Sequence, residues 1–166
     1  MNEFRSLADL LDLQHVDSEI DRLLETRASL PELELYRRAH VRSEAVRLEL
    51  TDRQRALREV SLELDRSSGE LEIAETKVVQ QERRLYAGGM SAKETENLRL
   101  DVESLRRKVN ETEDGVLEFL QQRESLEKEI AAIEGRLAEV EAEERRLNGA
   151  IKEAWRGIDA ELARRE

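Results

Sequence analysis

Cysteine is absent from this chain, proline occurs once, and one tryptophan, two tyrosines and two phenylalanines are its only aromatic residues. Without cysteine there can be no disulfide and no thiolate metal site, which fits the cytoplasm. Aromatics at 3% leave too little bulky apolar material for a thick globular core. No apolar run approaches the roughly 20 residues that cross a membrane. Acidic Glu3, Asp9 and Asp12 stand where a secretory signal would need a basic start and an apolar block. A formal charge of −11 argues against a protein that coats nucleic acid along its whole length. The expectation is a soluble cytoplasmic chain.

What is present is charge and leucine. Charged residues reach 40% of the 166 positions, yet 39% are still apolar. Disordered chains are also rich in charge, so the spacing of the apolar residues decides. Alternating steps of three and four from Tyr36 give Ala39, Ser43, Val46, Leu50, Arg53, Leu57, Val60, Leu64, Ser67, Leu71, Ala74, Val78, Gln81 and Leu85. A second register runs Leu98, Val102, Leu105, Val109, Thr112, Val116, Phe119, Arg123, Leu126, Ile130, Ile133, Leu137, Val140, Glu144, Leu147, Ile151, Ala154 and Ile158. A 3.5-residue period held this long demands a partner helix and a left-handed supercoil.

Between the two seams lie Gly88 and Gly89, which supply the positive φ that ends a helix. Ser91 with Glu94 forms a capping-box pattern for the helix that follows. So short a connection makes the two helices antiparallel. A turn centred near residue 88 or 89 predicts that residues whose numbers sum to roughly 177 face one another. Arg53 and Arg123 would then share a layer and snorkel outward, since two guanidiniums are not buried together unpaired. The predicted fold is all-α, a long antiparallel two-stranded coiled-coil hairpin forming a single domain over 1–166. Its segments are helix 1 (about 3–29), helix 2 (about 32–86), a tip loop (87–91) and helix 3 (about 92–164).

Helix 3 outruns helix 2, and the N-terminal segment can cover the excess. Leu13, Val16, Ile20, Leu23 and Leu30 keep the same rhythm, with Arg27 interrupting, while Leu7, Leu10, Leu11 and Leu24 widen the apolar face. Pro31 separates helix 1 from helix 2, and Ser29 with Glu32 is a second capping-box candidate. The kinked N-terminal helix is expected to pack on the C-terminal end of helix 3, near residues 145–166, with Trp155 against helix 1 near Leu23.

Nothing in the sequence assembles a catalytic site. His15 and His40 are far apart and lack metal-ligand spacing, and the glycine pair has no phosphate-loop pattern around it. The expectation is no enzyme, no catalytic or metal residues and no cofactor. Charge distribution says more. Residues 77–108 carry eight cations against five anions, a surplus of three on a strongly acidic protein. The hairpin tip is thus a basic end that can orient an acidic partner or a nucleic acid. The candidate contact residues are Arg83, Arg84, Tyr86, Gly88, Gly89, Met90, Lys93, Arg106 and Arg107, with Tyr86 and Met90 as exposed apolar surface.

The run from Leu85 to Glu94, followed by Leu98, Glu103, Leu105, Arg106 and Arg107, resembles the tip of a bacterial family. That family joins a coiled-coil hairpin to a C-terminal four-cysteine zinc ribbon. The opening from Leu10 to Asp21 and the break at Leu30-Pro31-Glu32 are similar to it as well. Ala92 departs from a common proline, and Thr95 from a leucine after Lys-Glu. With no Cys-x-x-Cys pair present, zinc would require a C-terminal extension beyond Glu166. The resemblance implies a chaperone or adaptor for the sigma factor sigma-54 or for flagellar and type III secretion components. It also implies the alternative of a nucleic-acid-binding protein that uses the ribbon together with the basic tip. The expected partner is a protein, with nucleic acid second and no membrane. The heptad pattern leaves open whether the hairpin is monomeric or dimerises.

Overall fold

The computed structural model describes residues 2–165. Among the described residues every regular element is helical: α1 (Asn2–Ala28), α2 (Pro31–Ala87) and α3 (Ala92–Ala163). The expected fold class is borne out, an antiparallel coiled-coil hairpin with the N-terminal helix on the C-terminal end of α3.

Local chemistry sets the breaks. Pro31 opens α2, where its missing N–H costs nothing and its fixed φ suits the first helical turn. The expected Ser29–Glu32 capping box does not form. The Ser29 hydroxyl instead donates back to the Glu25 carbonyl at 2.7 Å, closing α1 rather than opening α2. With only two residues between the helices, Ser29 still belongs to the last turn of α1. At the other break Gly88 and Gly89 have φ of +74° and +82°, where an L side chain is strained. The Ser91–Glu94 box does form. The Ser91 amide donates to Glu94 Oε2 at 2.8 Å, and the Glu94 amide donates to Ser91 Oγ at 3.2 Å.

The seams are where the period places them. On α2 only Arg53 of the predicted stripe is exposed, and on α3 none of the predicted stripe is. The core is narrow: Ala39, Leu64, Ala74, Leu98, Val102, Ile133, Leu147 and Ile151 are its buried apolar members.

The chain divides into two compact units. One is Met1–Leu48 with Glu134–Glu166, and the other is Glu49–Ile133. In the first, cross-helix pairs join Arg47 to Glu141 and Arg27 to Asp159, and Glu19 to Arg165. In the second they join Arg53 to Glu129 and Arg106 to Glu82. In each unit the paired numbers sum to about 182–188, so the register differs from the expected 177. Arg53 and Arg123 therefore occupy different layers. Arg53 reaches Glu129 at 3.1 Å, while Arg123 lies 3.9 Å from Glu127 on its own helix.

The physical reason for the shift lies at the turn. Residues 91–97 are all exposed, and Leu98 is the first buried residue of α3, at 7% exposure. α3 therefore begins about six residues, or ~9 Å of helix, before its first buried seam position. α1 likewise outruns the helix it packs on. Because Glu19 meets Arg165, the turns before Val16 lie beyond the last turn of α3. Leu7, Leu10, Leu11 and Leu13 are accordingly exposed, and Leu13 is not a seam residue as the rhythm suggested.

Candidate functional site

The tip is held by the end of α2, the diglycine turn and the capped start of α3. Its charges sort into two groups. Arg106 is neutralised by Glu82, its Nε donating to Oε1 at 2.9 Å. That hydrogen bond holds the Arg106 guanidinium above its ordinary value. Arg99 is bracketed by Glu96 and Glu103, both at 2.8 Å. Arg84 turns to the neutral Gln81 amide oxygen at 3.3 Å. Arg83, Lys93 and Arg107 are exposed, and the described residues provide no carboxylate within 4.0 Å of any of them. The cationic surplus inferred from composition therefore resides in a few specific side chains, and Arg106 is not one of them.

Tyr86 is 81% exposed, the most exposed large apolar side chain among the described residues, and it stands close to Arg106. Met90 differs from expectation. It is half-buried and contributes less surface than Tyr86. Gly88 and Gly89 have no neighbour within 4 Å of a built Cβ, so they serve backbone geometry rather than close approach to a partner. Along one flank below Tyr86 runs an open groove of about 510 Å³, lined by Val78, Val79 and Val109 and rimmed by Glu75, Arg106 and Asn110.

The cap at the tip carries a pH dependence. Glu94 is held below the usual carboxylate range, first by the Ser91 amide and then by the Ser91 hydroxyl. A depressed folded value means the stabilisation is full above the unfolded value near 4.5 and is lost as pH falls through the lower folded value. Acidification below about pH 4.5 should therefore loosen the first turn of α3. Amide exchange at Ser91, Glu94 and Thr95, corrected for intrinsic rates, should quicken there. Glu94→Gln should remove that dependence, because the amide does not titrate.

Away from the tip, one constellation has no counterpart among the sequence expectations and another is displaced from where they put it. Ser43 is fully buried in the first unit and donates its hydroxyl to Glu144 Oε1, while His40 Nδ1 lies 3.2 Å from the same oxygen. The His40 ring stacks on Tyr36 at 6.2 Å. Ser43 and Glu144 both fall on predicted seam positions, so two polar residues in opposed stripes were the available signal. Trp155 packs one turn later on α1 than expected, at Arg27 rather than near Leu23. Its indole N–H donates to the Arg27 carbonyl at 3.2 Å, and the Arg27 guanidinium lies 5.1 Å from the ring centre. Arg27 Nε is 3.3 Å from Asp159 but poorly aligned, leaving an ion pair without a true hydrogen bond. His15 is solvated, 3.5 Å from Glu19.

The fold and tip define an antiparallel coiled-coil hairpin with a charged, aromatic-bearing turn. Residues 13–166 match the family model of the CT398-like coiled coil hairpin domain, and the chain belongs to that family. Two uncharacterised proteins of Mycobacterium tuberculosis, one from each of two strains, are each 28% identical over 154 residues. These alignments take in 90% of this chain and 61% of the relatives, so the chain spans about three-fifths of their length. A solved structure from Mycobacterium smegmatis shares the fold with a TM-score of 0.84 at 20% identity, over 96% of this chain and 66% of that one.

The zinc ribbon implied by the tip resemblance finds no ligands here. The chain has no cysteine, and among the described residues no three His, Asp or Glu side chains are placed to hold an ion. These residues do not fit a zinc site. No helix among the described residues is long and apolar enough to cross a membrane.

Proposed function

We propose that this chain is a non-enzymatic protein–protein scaffold or chaperone-like adaptor of the cytoplasm, with the hairpin tip as its contact site. The observation that carries the reading is the pairing of an 81% exposed Tyr86 with cations that no carboxylate neutralises, at the one turn of the hairpin. An exposed aromatic with a polar end beside free guanidiniums is the composition of a protein contact. The tip resemblance adds a transcription, flagellar or secretion component as the class of partner. The test is recovery of partners from a lysate by immobilised wild-type protein and by Tyr86→Ala/Lys93→Ala. Loss of specific bands with the variant is expected. Unchanged recovery would remove the tip from the proposal.

The second reading is nucleic-acid binding, favoured by Arg83, Lys93 and Arg107 lying exposed on one end. Phosphate binding of this kind weakens steeply with salt, so a chain that retains no oligonucleotide at 50 mM salt does not use it.

A further inference from the structure

Where charged residues flank the seams, opposite signs meet: Arg47 with Glu141, Arg53 with Glu129, Arg106 with Glu82. The layer of Lys77 and Lys108 differs. Lys77 of α2 and Lys108 of α3 line the same small hollow, of about 110 Å³, together with Glu70, Ile73, Ala74 and Leu105. The described residues place no carboxylate within 4.0 Å of either ammonium. Glu70, the one acid lining the hollow, is taken up by Arg66 at 3.4 Å on its own helix. Two ammoniums that line one hollow repel, and neither is paired with an acid among the described residues. Beside them Ile73 is 59% exposed, leaving apolar surface next to unpaired cations. Ile73 and Lys77 also border an outer depression of about 580 Å³ with Gly69, Glu72, Thr76 and Gln80.

We propose that the Lys77–Lys108 layer is a docking site for an acidic, amphipathic helix of a partner protein. A partner Glu or Asp sits between the two ammoniums, and an adjacent Leu or Ile covers Ile73. Charge complementarity selects the acid, since one carboxylate relieves the repulsion and gains two charge-assisted hydrogen bonds. The apolar wall selects protein over nucleic acid, because a phosphodiester would meet Ile73 and Leu105 with nothing to bury against them. The site lies outside the Tyr86 tip, about two turns or more along α2. It deepens the adaptor reading by stating the partner's chemistry, and it can fail separately from it.

The probe is a fluorescent synthetic helical peptide with Glu and Leu alternating at three- and four-residue spacing on one face. Its Gln-for-Glu counterpart and a single-stranded oligonucleotide serve as the other two arms. Anisotropy titrations with the full chain at 50 mM salt should show the acidic peptide bound and the Gln peptide at least ten-fold weaker. Lys77→Glu and Lys108→Glu should each weaken the acidic peptide at least ten-fold, while Tyr86→Ala leaves it unchanged. Lys77→Glu should at the same time raise Tm, because the new acid faces Lys108. A purely structural lysine would give the opposite, a lower Tm on charge reversal. Peptide binding indifferent to both lysine variants, tighter binding of the oligonucleotide at the same residues, or a fall in Tm for Lys77→Glu each overturns the proposal.

Discussion

Leu147→Asp should abolish cooperative melting of the unit built from Met1–Leu48 and Glu134–Glu166. Leu147 is 2% exposed, in a seam where Ala39 and Ser43 are fully buried on α2. An aspartate there would place a second carboxylate three residues from Glu144, on the same face of α3. Glu144 is tolerated because Ser43 donates to it and His40 lies beside it. The new carboxylate would have neither. An uncompensated buried charge costs about 3–5 kcal/mol. That is comparable with the whole stability of a marginal domain, about 5–15 kcal/mol. Circular dichroism should show a broad, low-temperature loss of helix, whereas Leu147→Met, which conserves volume, should lose less than about 1.5 kcal/mol. A wild-type melt for the aspartate variant would mean that this seam does not exist.

Trp155→Ala should free α1 from α3 without disturbing Glu49–Ile133. The last carbonyls of any helix lack partners of their own, and the Arg27 carbonyl is among those of α1. Trp155 supplies the missing donor, and its ring carries the Arg27 guanidinium. Removing both the packed ring and the donor should cost about 2–3 kcal/mol for a half-buried tryptophan. Hydrogen exchange should rise sharply across residues 16–28 and stay unchanged across 49–133. Trp155→Phe keeps most of the packing and should lose about 1 kcal/mol, the worth of one hydrogen bond. Equal exchange in both regions would show that Trp155 does not hold α1.

The seam was legible because heptad spacing reports on which side of a helix is buried, and burial follows from the helix's own sequence. The register was not. A two-stranded seam looks the same after a slip of a few residues, so Leu71 can be set opposite Leu105 or opposite the Thr112–Val116 stretch without any local signal. What fixes it is the conformation of four residues at the turn, through Gly88, Gly89 and the cap at Ser91. Everything that depends on who faces whom was lost with it. A facing sum of 177 sets Lys77 opposite Leu100 and Ser43 opposite Glu134, hiding both the opposed lysines and the Ser43–Glu144 layer. The basic character of the tip was visible in composition. Which cations are free was not, because Arg106 finds its partner across the hairpin rather than along its own helix.

The start of α3 differs in kind from the rest of the helix. Residues 92–97 form a turn and a half of exposed helix, started by the Ser91–Glu94 cap and tied to the next turn by the Glu96–Arg99 pair. A helix lying in a bundle offers one accessible face, but along this segment every residue is exposed. Apart from Glu94 in the cap, substitutions from Ala92 to Asn97 therefore change the surface of the tip and leave the packing of the seam alone.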